Sequence, residues 1–127
     1  MEEKAKEGGF SILVGKTLTK VEGMEKGSEV VDLYTSDGEH FRMQHDQDCC
    51  ECVEVEDVVG DVEDILNTPV LSAYESTQDG GGDYDSTSTW TFYRLQTIKG
   101  SLVLRWLGES NGYYSESVDF FKVENWN

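Results

Sequence analysis

The stretch His45-Asp46-Gln47-Asp48-Cys49-Cys50-Glu51-Cys52 holds all three cysteines of the chain, one of its two histidines and three carboxylates. Thiolate and imidazole are ligands that tetrahedral zinc prefers, so the first chemistry to consider is a metal site with His45, Cys49, Cys50 and Cys52 as candidate ligands. The spacing allows one site only if the chain turns at Asp46-Gln47-Asp48. Neighbouring cysteines point to opposite faces of a regular strand, so Cys49 and Cys50 share a metal only where the backbone is irregular. No second Cys-x-x-Cys accompanies them, and Asp119 and His40 are candidates for a remote fourth ligand. The expectation is one structural zinc. The competing reading makes Cys49 a small buried hydrophobe with His45 hydrogen-bonded nearby. A catalytic zinc would further need an open coordination position and a base such as Asp46, Asp48 or Glu51.

Other patterns carry less chemistry. Gly108-Glu109-Ser110-Asn111-Gly112 matches Gly-x-Ser-x-Gly, the turn that presents a hydrolase nucleophile, but no histidine follows Ser110. It reads instead as a loop using Gly and Asn for positive φ. Asp79, Asp83 and Asp85 sit in a glycine-rich stretch without the spacing of a calcium loop, which makes that stretch a solvated, mobile loop. A pocket for a small nucleotide signal would have to be built from Arg42, Arg94 and Arg105. No phosphate-cradling glycine loop with a lysine and no catalytic dyad is visible.

The elements that position these residues read mainly as strands. Val30–Thr35 is rich in β-branched and aromatic residues, Asp37-Gly38 is a strong hairpin signal, and 40–44 returns with Phe41 and Met43 on one face. That places His45 at a strand end. From Cys49 to Asp57 the period is two, with Cys49, Glu51, Val53 and Val55 on an inward face and Cys50, Cys52, Glu54 and Glu56 on an acidic one. Residues 61–67 are the one helix candidate, with acids at the start and Pro69 beyond the end. Strands are expected at 70–74, 88–98, 101–107 and 113–123, the second and third forming another hairpin. The aromatics of these strands are expected in the core, except that Tyr113 and Tyr114 cannot both face inward. The fold class is α+β, β-dominated, with mainly antiparallel pairing and one short helix near 61–67. Residues 1–9 form a flexible tail, and 10–127 form one acidic domain.

The formal net charge is -16, and no Lys or Arg occurs between Arg42 and Arg94. Such a surface repels phosphate, which argues against direct nucleic-acid binding and against anionic membranes. Its natural partner is a cation or a basic protein surface. Glu54, Glu56, Asp57, Asp61, Glu63 and Asp64 crowd one strand and the helix expected after it, and they are the candidate partner-binding residues. There is no apolar leader at the N-terminus, no apolar run of membrane-spanning length, and an odd cysteine count. These features lead to the expectation of a cytoplasmic protein.

Three strings, His45-Asp-Gln-Asp-Cys-Cys-Glu51, Thr89-Trp-Thr-Phe-Tyr93 and Arg105-Trp-Leu-Gly-Glu-Ser-Asn-Gly-Tyr-Tyr-Ser-Glu-Ser-Val-Asp119, resemble a family of small phage and prophage proteins with no assigned enzyme activity. The resemblance runs over roughly residues 30–120, and Cys52 lies outside its pattern. The chain is also similar to a metal-binding type II anti-CRISPR protein. That resemblance implies docking on host Cas9 within the bacterial cytoplasm, prevention of target-DNA loading, and a metal with a structural role. A metal-dependent enzyme using the His45–Cys52 cluster and a sponge for a small nucleotide signal are the alternatives.

Overall fold

The computed structural model of the chain describes residues 9–82, 86–112 and 114–123. The strands are β1 (Leu18–Glu22), β2 (Val30–Thr35), β3 (His40–Gln44), β4 (Cys52–Val59), β5 (Ser72–Gly82), β6 (Thr87–Thr97), β7 (Gly100–Ser110) and β8 (Asp119–Lys122). They form two antiparallel four-stranded sheets, ordered β1-β2-β3-β8 and β4-β7-β6-β5. The fold is β-dominated, as the alternation of apolar and polar residues requires.

The β2–β3 hairpin shows how sequence sets register. Gly38 takes a positive φ of 88° and its N–H bonds the Thr35 carbonyl, which puts Leu33 opposite Phe41 and Val31 opposite Met43. A positive φ costs glycine nothing, because it has no Cβ to clash. All four of those apolar side chains are buried. In the second sheet Val55, Tyr93, Leu104 and Trp106 turn inward, and both sheets contribute to one core. The apolar run near the N-terminus forms a 3-10 turn, Phe10–Leu13. Phe10 lies edge-on to Tyr93 of the second sheet at 4.7 Å and to Phe120 of the first at 5.1 Å, so it joins the two sheets. Edge-to-face aromatic pairs of this kind stabilise by about 0.5–1.5 kcal/mol beyond the area they bury.

Four expectations need correction in detail. The helix candidate at 61–67 is a four-residue 3-10 turn, Val62–Ile65, in which Asp61 makes no side-chain cap. So short a segment lacks the length an α-helix needs. It is held instead by buried Ile65 and by the Thr97 hydroxyl, which donates to the Asp64 carbonyl. The expected mobile loop after residue 76 is strand through Gly82, paired with β6 from Thr77↔Thr91 to Gly82↔Thr87 around a bulge between Asp79 and Gly81. A backbone ladder needs no apolar side chains, so this edge strand is polar and escapes a reading based on hydrophobic period. β4 begins at Cys52 rather than Cys49, because residues 46–51 wrap around a carboxylate described below. The last strand is only Asp119–Lys122. The N-terminal residues 1–8, Asp83, Asp85 and Tyr113 lie outside the described residues. Among the described residues no helix is long and apolar enough to cross a membrane.

Candidate functional site

His45 follows directly on β3 and is 7% exposed. Its Nδ1 lies 2.6 Å from the carbonyl of Ser117 and its Nε2 lies 2.7 Å from Oε2 of Glu51. A carbonyl and a carboxylate face the two ring nitrogens, so both edges of the imidazole are occupied by acceptors. Glu51 is 4% exposed. The backbone N–H of Asp48 donates to its Oε2 and that of Cys49 to its Oε1, both at 2.8 Å, while Gln47 donates to its carbonyl at 2.7 Å. Burial works to raise the carboxyl's pKa. The hydrogen bonds from His45, Cys49 and Asp48 outweigh it and hold the group at about 2. The irregular backbone of 46–50 is thus a loop closed around one buried carboxylate.

This arrangement engages three of the four candidate metal ligands elsewhere. Both nitrogens of His45 are engaged, and Cys49 and Cys50, both exposed, are bonded to each other. Cys52 is exposed on the opposite face of the strand from Val53 and carries a free thiol. Burial, then the charges of Glu54, Glu109 and Glu29, push that thiol up, which disfavours the thiolate that zinc takes. Among the described residues no group of three or more His, Cys, Asp or Glu side chains could hold a metal ion. A zinc site here would need the Cys49–Cys50 bond opened and His45 released from Glu51.

A second buried carboxylate sits next to the Gly-x-Ser-x-Gly pattern. Glu116, 8% exposed, accepts hydrogen bonds from Thr87 at 2.6 Å, from Thr89 at 2.7 Å and from Ser110. Ser110 is therefore held by an acid, with no imidazole beside it among the described residues. Gly108 lies within β7 and makes room for this segment: a Cβ there would stand 2.6 Å from the Glu116 carbonyl oxygen. Ser117, which holds His45, comes next in the chain, so the two carboxylates anchor adjoining parts of one assembly. Beside it opens a polar cleft of about 340 Å³ lined by His45, Asp46, Asp48, Ser117 and Asp119, among others.

The six candidate partner-binding acids fall into two groups. Glu54, Glu56 and Asp57 lie on β4, where Arg105 of β7 reaches Glu56 at 2.6 Å and Asp57 at 3.4 Å. A bulge between Val55 and Asp57 brings Glu56 and Asp57 to the same guanidinium. Asp61 and Glu63 are exposed on the 3-10 turn, and half-buried Asp64 lies against Gly100 in the β6–β7 turn. The three arginines do not meet in a pocket. Arg42 pairs with Asp32 on the first sheet, whereas Arg94 and Arg105 lie on the second. Asp32 also accepts from His40 at 2.7 Å. Burial works to raise the Asp32 carboxyl, and the bonds from Arg42 and His40 outweigh it and hold the group below the usual carboxylate range.

The expectation that the strand aromatics lie in the core needs correction on the outer face of β6. Thr91, Tyr93 and Leu95 are buried, so Trp90, Phe92 and Arg94 face outward. The alternation showed the two faces, but aromatic content gave no sign of which was inside. Arg105 lies over Trp90 at 5.2 Å, and Arg94 lies over both Tyr74 and Phe92 at 5.9 Å.

No curated protein and no solved structure matches the chain. One family model does, over residues 11–120, a span that takes in all eight strands as far as Phe120 of β8. The chain therefore belongs to the family described as a domain of unknown function, DUF7448.

Proposed function

We propose that this chain is an acidic binding protein that acts by docking on a basic protein surface, and that within a bacterial cell its target is a nucleic-acid-handling enzyme of the Cas9 type. The observation that carries the reading is the distribution of charge. The formal net charge is -16. Most of the described cations are already engaged by acids: Lys16 with Glu39, Lys20 with Glu22, Arg42 with Asp32, Arg105 with Glu56, and Lys122 with Glu39. Glu54, Asp61 and Glu63 have no cationic partner among the described residues, so their field is open to a partner. A groove built to hold phosphates carries the opposite sign and is attracted over about one Debye length, roughly 8 Å at physiological salt. The buried carboxylates Glu51 and Glu116 are engaged in holding loops, and buried Asp32 is engaged by Arg42 and His40, which favours binding over chemistry. A structural zinc on the cysteines belongs to the same reading only if residues 45–52 rearrange.

The test mixes the protein with Cas9 and guide RNA and measures target-DNA binding and cleavage. Loss of DNA loading that weakens as salt is raised supports the reading. Charge reversal of Glu54, Asp61 and Glu63 to Lys should slow association by about tenfold without altering the fold. Unchanged DNA binding at a large excess of this protein removes Cas9 as the target.

A further inference from the structure

We infer that the outer face of the β4-β7-β6-β5 sheet is the docking surface, and that its occupant is a basic protein surface with an apolar centre. The inference rests on the binding role proposed above and names the part of the molecule that performs it. Cross-strand pairing sets the residues of this face side by side. Tyr74 pairs with Arg94 and then Val103, and Gln78 pairs with Trp90 and then Leu107. Tyr74 is 53% exposed, and Trp90, Phe92, Val103 and Leu107 are half-buried. The outer face of the other sheet differs. There His40 stacks on Tyr34 at 4.4 Å, Tyr34 donates to Glu22, and Asp32 takes both His40 and Arg42. Phe121, opposite Arg42, is the exposed aromatic of that face, and the polar groups around it satisfy one another.

A solvent-facing patch of Trp, Tyr, Phe and Arg has the composition that dominates binding energy where proteins meet. Its charge selects the occupant. Glu54 pairs with Leu107 across β4 and β7, Glu109 pairs with Ser88, and Glu56 and Asp57 more than neutralise Arg105, so one whole flank of the aromatic patch is negative. A second copy of the chain would bring that flank, and a further charge of -16, against its like. A lysine- or arginine-bearing surface removes the repulsion while burying the aromatics. The exposed acids of the 3-10 turn, Asp61 and Glu63, lie outside this face and contribute only to long-range attraction.

The experiment immobilises two probes, Cas9 with guide RNA and the basic protein lysozyme, and titrates the full chain over each. Tyr74→Ser and Trp90→Ser are compared with Asp61→Asn/Glu63→Gln, with circular dichroism and melting recorded for every variant. Tyr74 lies on an edge strand and is largely exposed, so Tyr74→Ser keeps the test valid if Trp90→Ser fails to fold. The expected result is binding to at least one probe, a loss of affinity of about tenfold or more in each face variant, and in the turn variant a smaller loss, about threefold, confined to the association rate. Face variants that bind like wild type overturn the assignment of this face while leaving the basic-partner role standing. Wild type that binds neither probe overturns both. A dimer in sedimentation that the face variants dissociate shows that a second copy is the occupant and overturns the proposal.

Discussion

Replacing Glu116 tests how the segment that holds His45 is itself held. Its carboxylate receives three hydroxyl donors, from Thr87, Thr89 and Ser110, in a setting only 8% exposed. Hydrogen bonds to a charged acceptor contribute about 1.5–3 kcal/mol each, and dehydrating the carboxylate offsets much of their sum. Glu116→Gln keeps the shape and an acceptor, and the hydroxyls can rotate to meet its amide. The loss is then the charge assistance, about 1–2 kcal/mol. Glu116→Ala leaves three hydroxyls without their acceptor, although Thr87 is exposed and can turn to water. The loss there is about 2–4 kcal/mol. For a domain of this size about 1 kcal/mol lowers Tm by roughly 4 °C. Thermal unfolding followed by circular dichroism should therefore show a fall of about 4–8 °C for Gln and roughly twice that for Ala. Thr89→Val should remove much less stability in the Gln background than in wild type, since the two groups share one bond. Gln melting within about 1 °C of wild type, or additive effects in the double variant, would refute the idea that this carboxylate is the anchor.

Three further outcomes follow from the 45–52 segment. Glu51 has a folded pKa of about 2, below its ordinary value of 4.5, so its stabilising effect is complete above about 4.5 and is lost as pH falls towards 2. The difference in urea midpoint between wild type and Glu51→Gln should be constant near neutrality and shrink across that acid window. Elemental analysis and melting with a chelator separate two arrangements of the cysteines. The one described here predicts an unchanged Tm, whereas one zinc per chain with a chelator-sensitive Tm would mean that His45 and the cysteines have rearranged. The Cys52 thiol, pushed up first by burial and then by Glu54, should react with iodoacetamide more slowly than a simple thiol at pH 8, and Glu54→Gln should speed it; rate profiles against pH check both.

The strands that carry apolar alternation were legible in the chain. Val30–Thr35 and His40–Gln44 stand where the Asp37-Gly38 turn and the β-branched run placed them, and β6 and β7 lie within a few residues of their expected bounds. The hidden parts are those held by backbone or by charge. Residues 76–82 pair through their ladder and bury little, so their Ser, Asp and Gly look like a loop. Glu51 looks like one more surface acid, since nothing local shows that the chain will fold around it. Its partners are His45, six residues earlier, and through that ring Ser117, seventy-two residues beyond His45. Period two correctly set Glu51 on the inward face with Val53 and Val55. A buried acid on an otherwise apolar face was the available signal that a hydrogen-bonding partner had to be near. In the outer aromatics, composition misled: Trp90 and Phe92 were placed in the core because aromatics usually are.

The position of β8 has a consequence for how the molecule is made. Its four residues close the first sheet against β3, and Phe120 stacks on Phe41 at 5.4 Å and meets Phe10 at 5.1 Å. During synthesis β1, β2 and β3 emerge early, yet their sheet stays open and their apolar face unsealed until residue 122 has been added. The nascent chain must then carry an exposed strand edge and a half-formed core until β8 has emerged, a state in which chains associate wrongly. A charge of -16, which weakens the finished fold through self-repulsion, keeps those unfinished chains apart. The acidity that we propose to serve recognition would then act first on the ribosome, where it holds unfinished chains apart before any partner has been met.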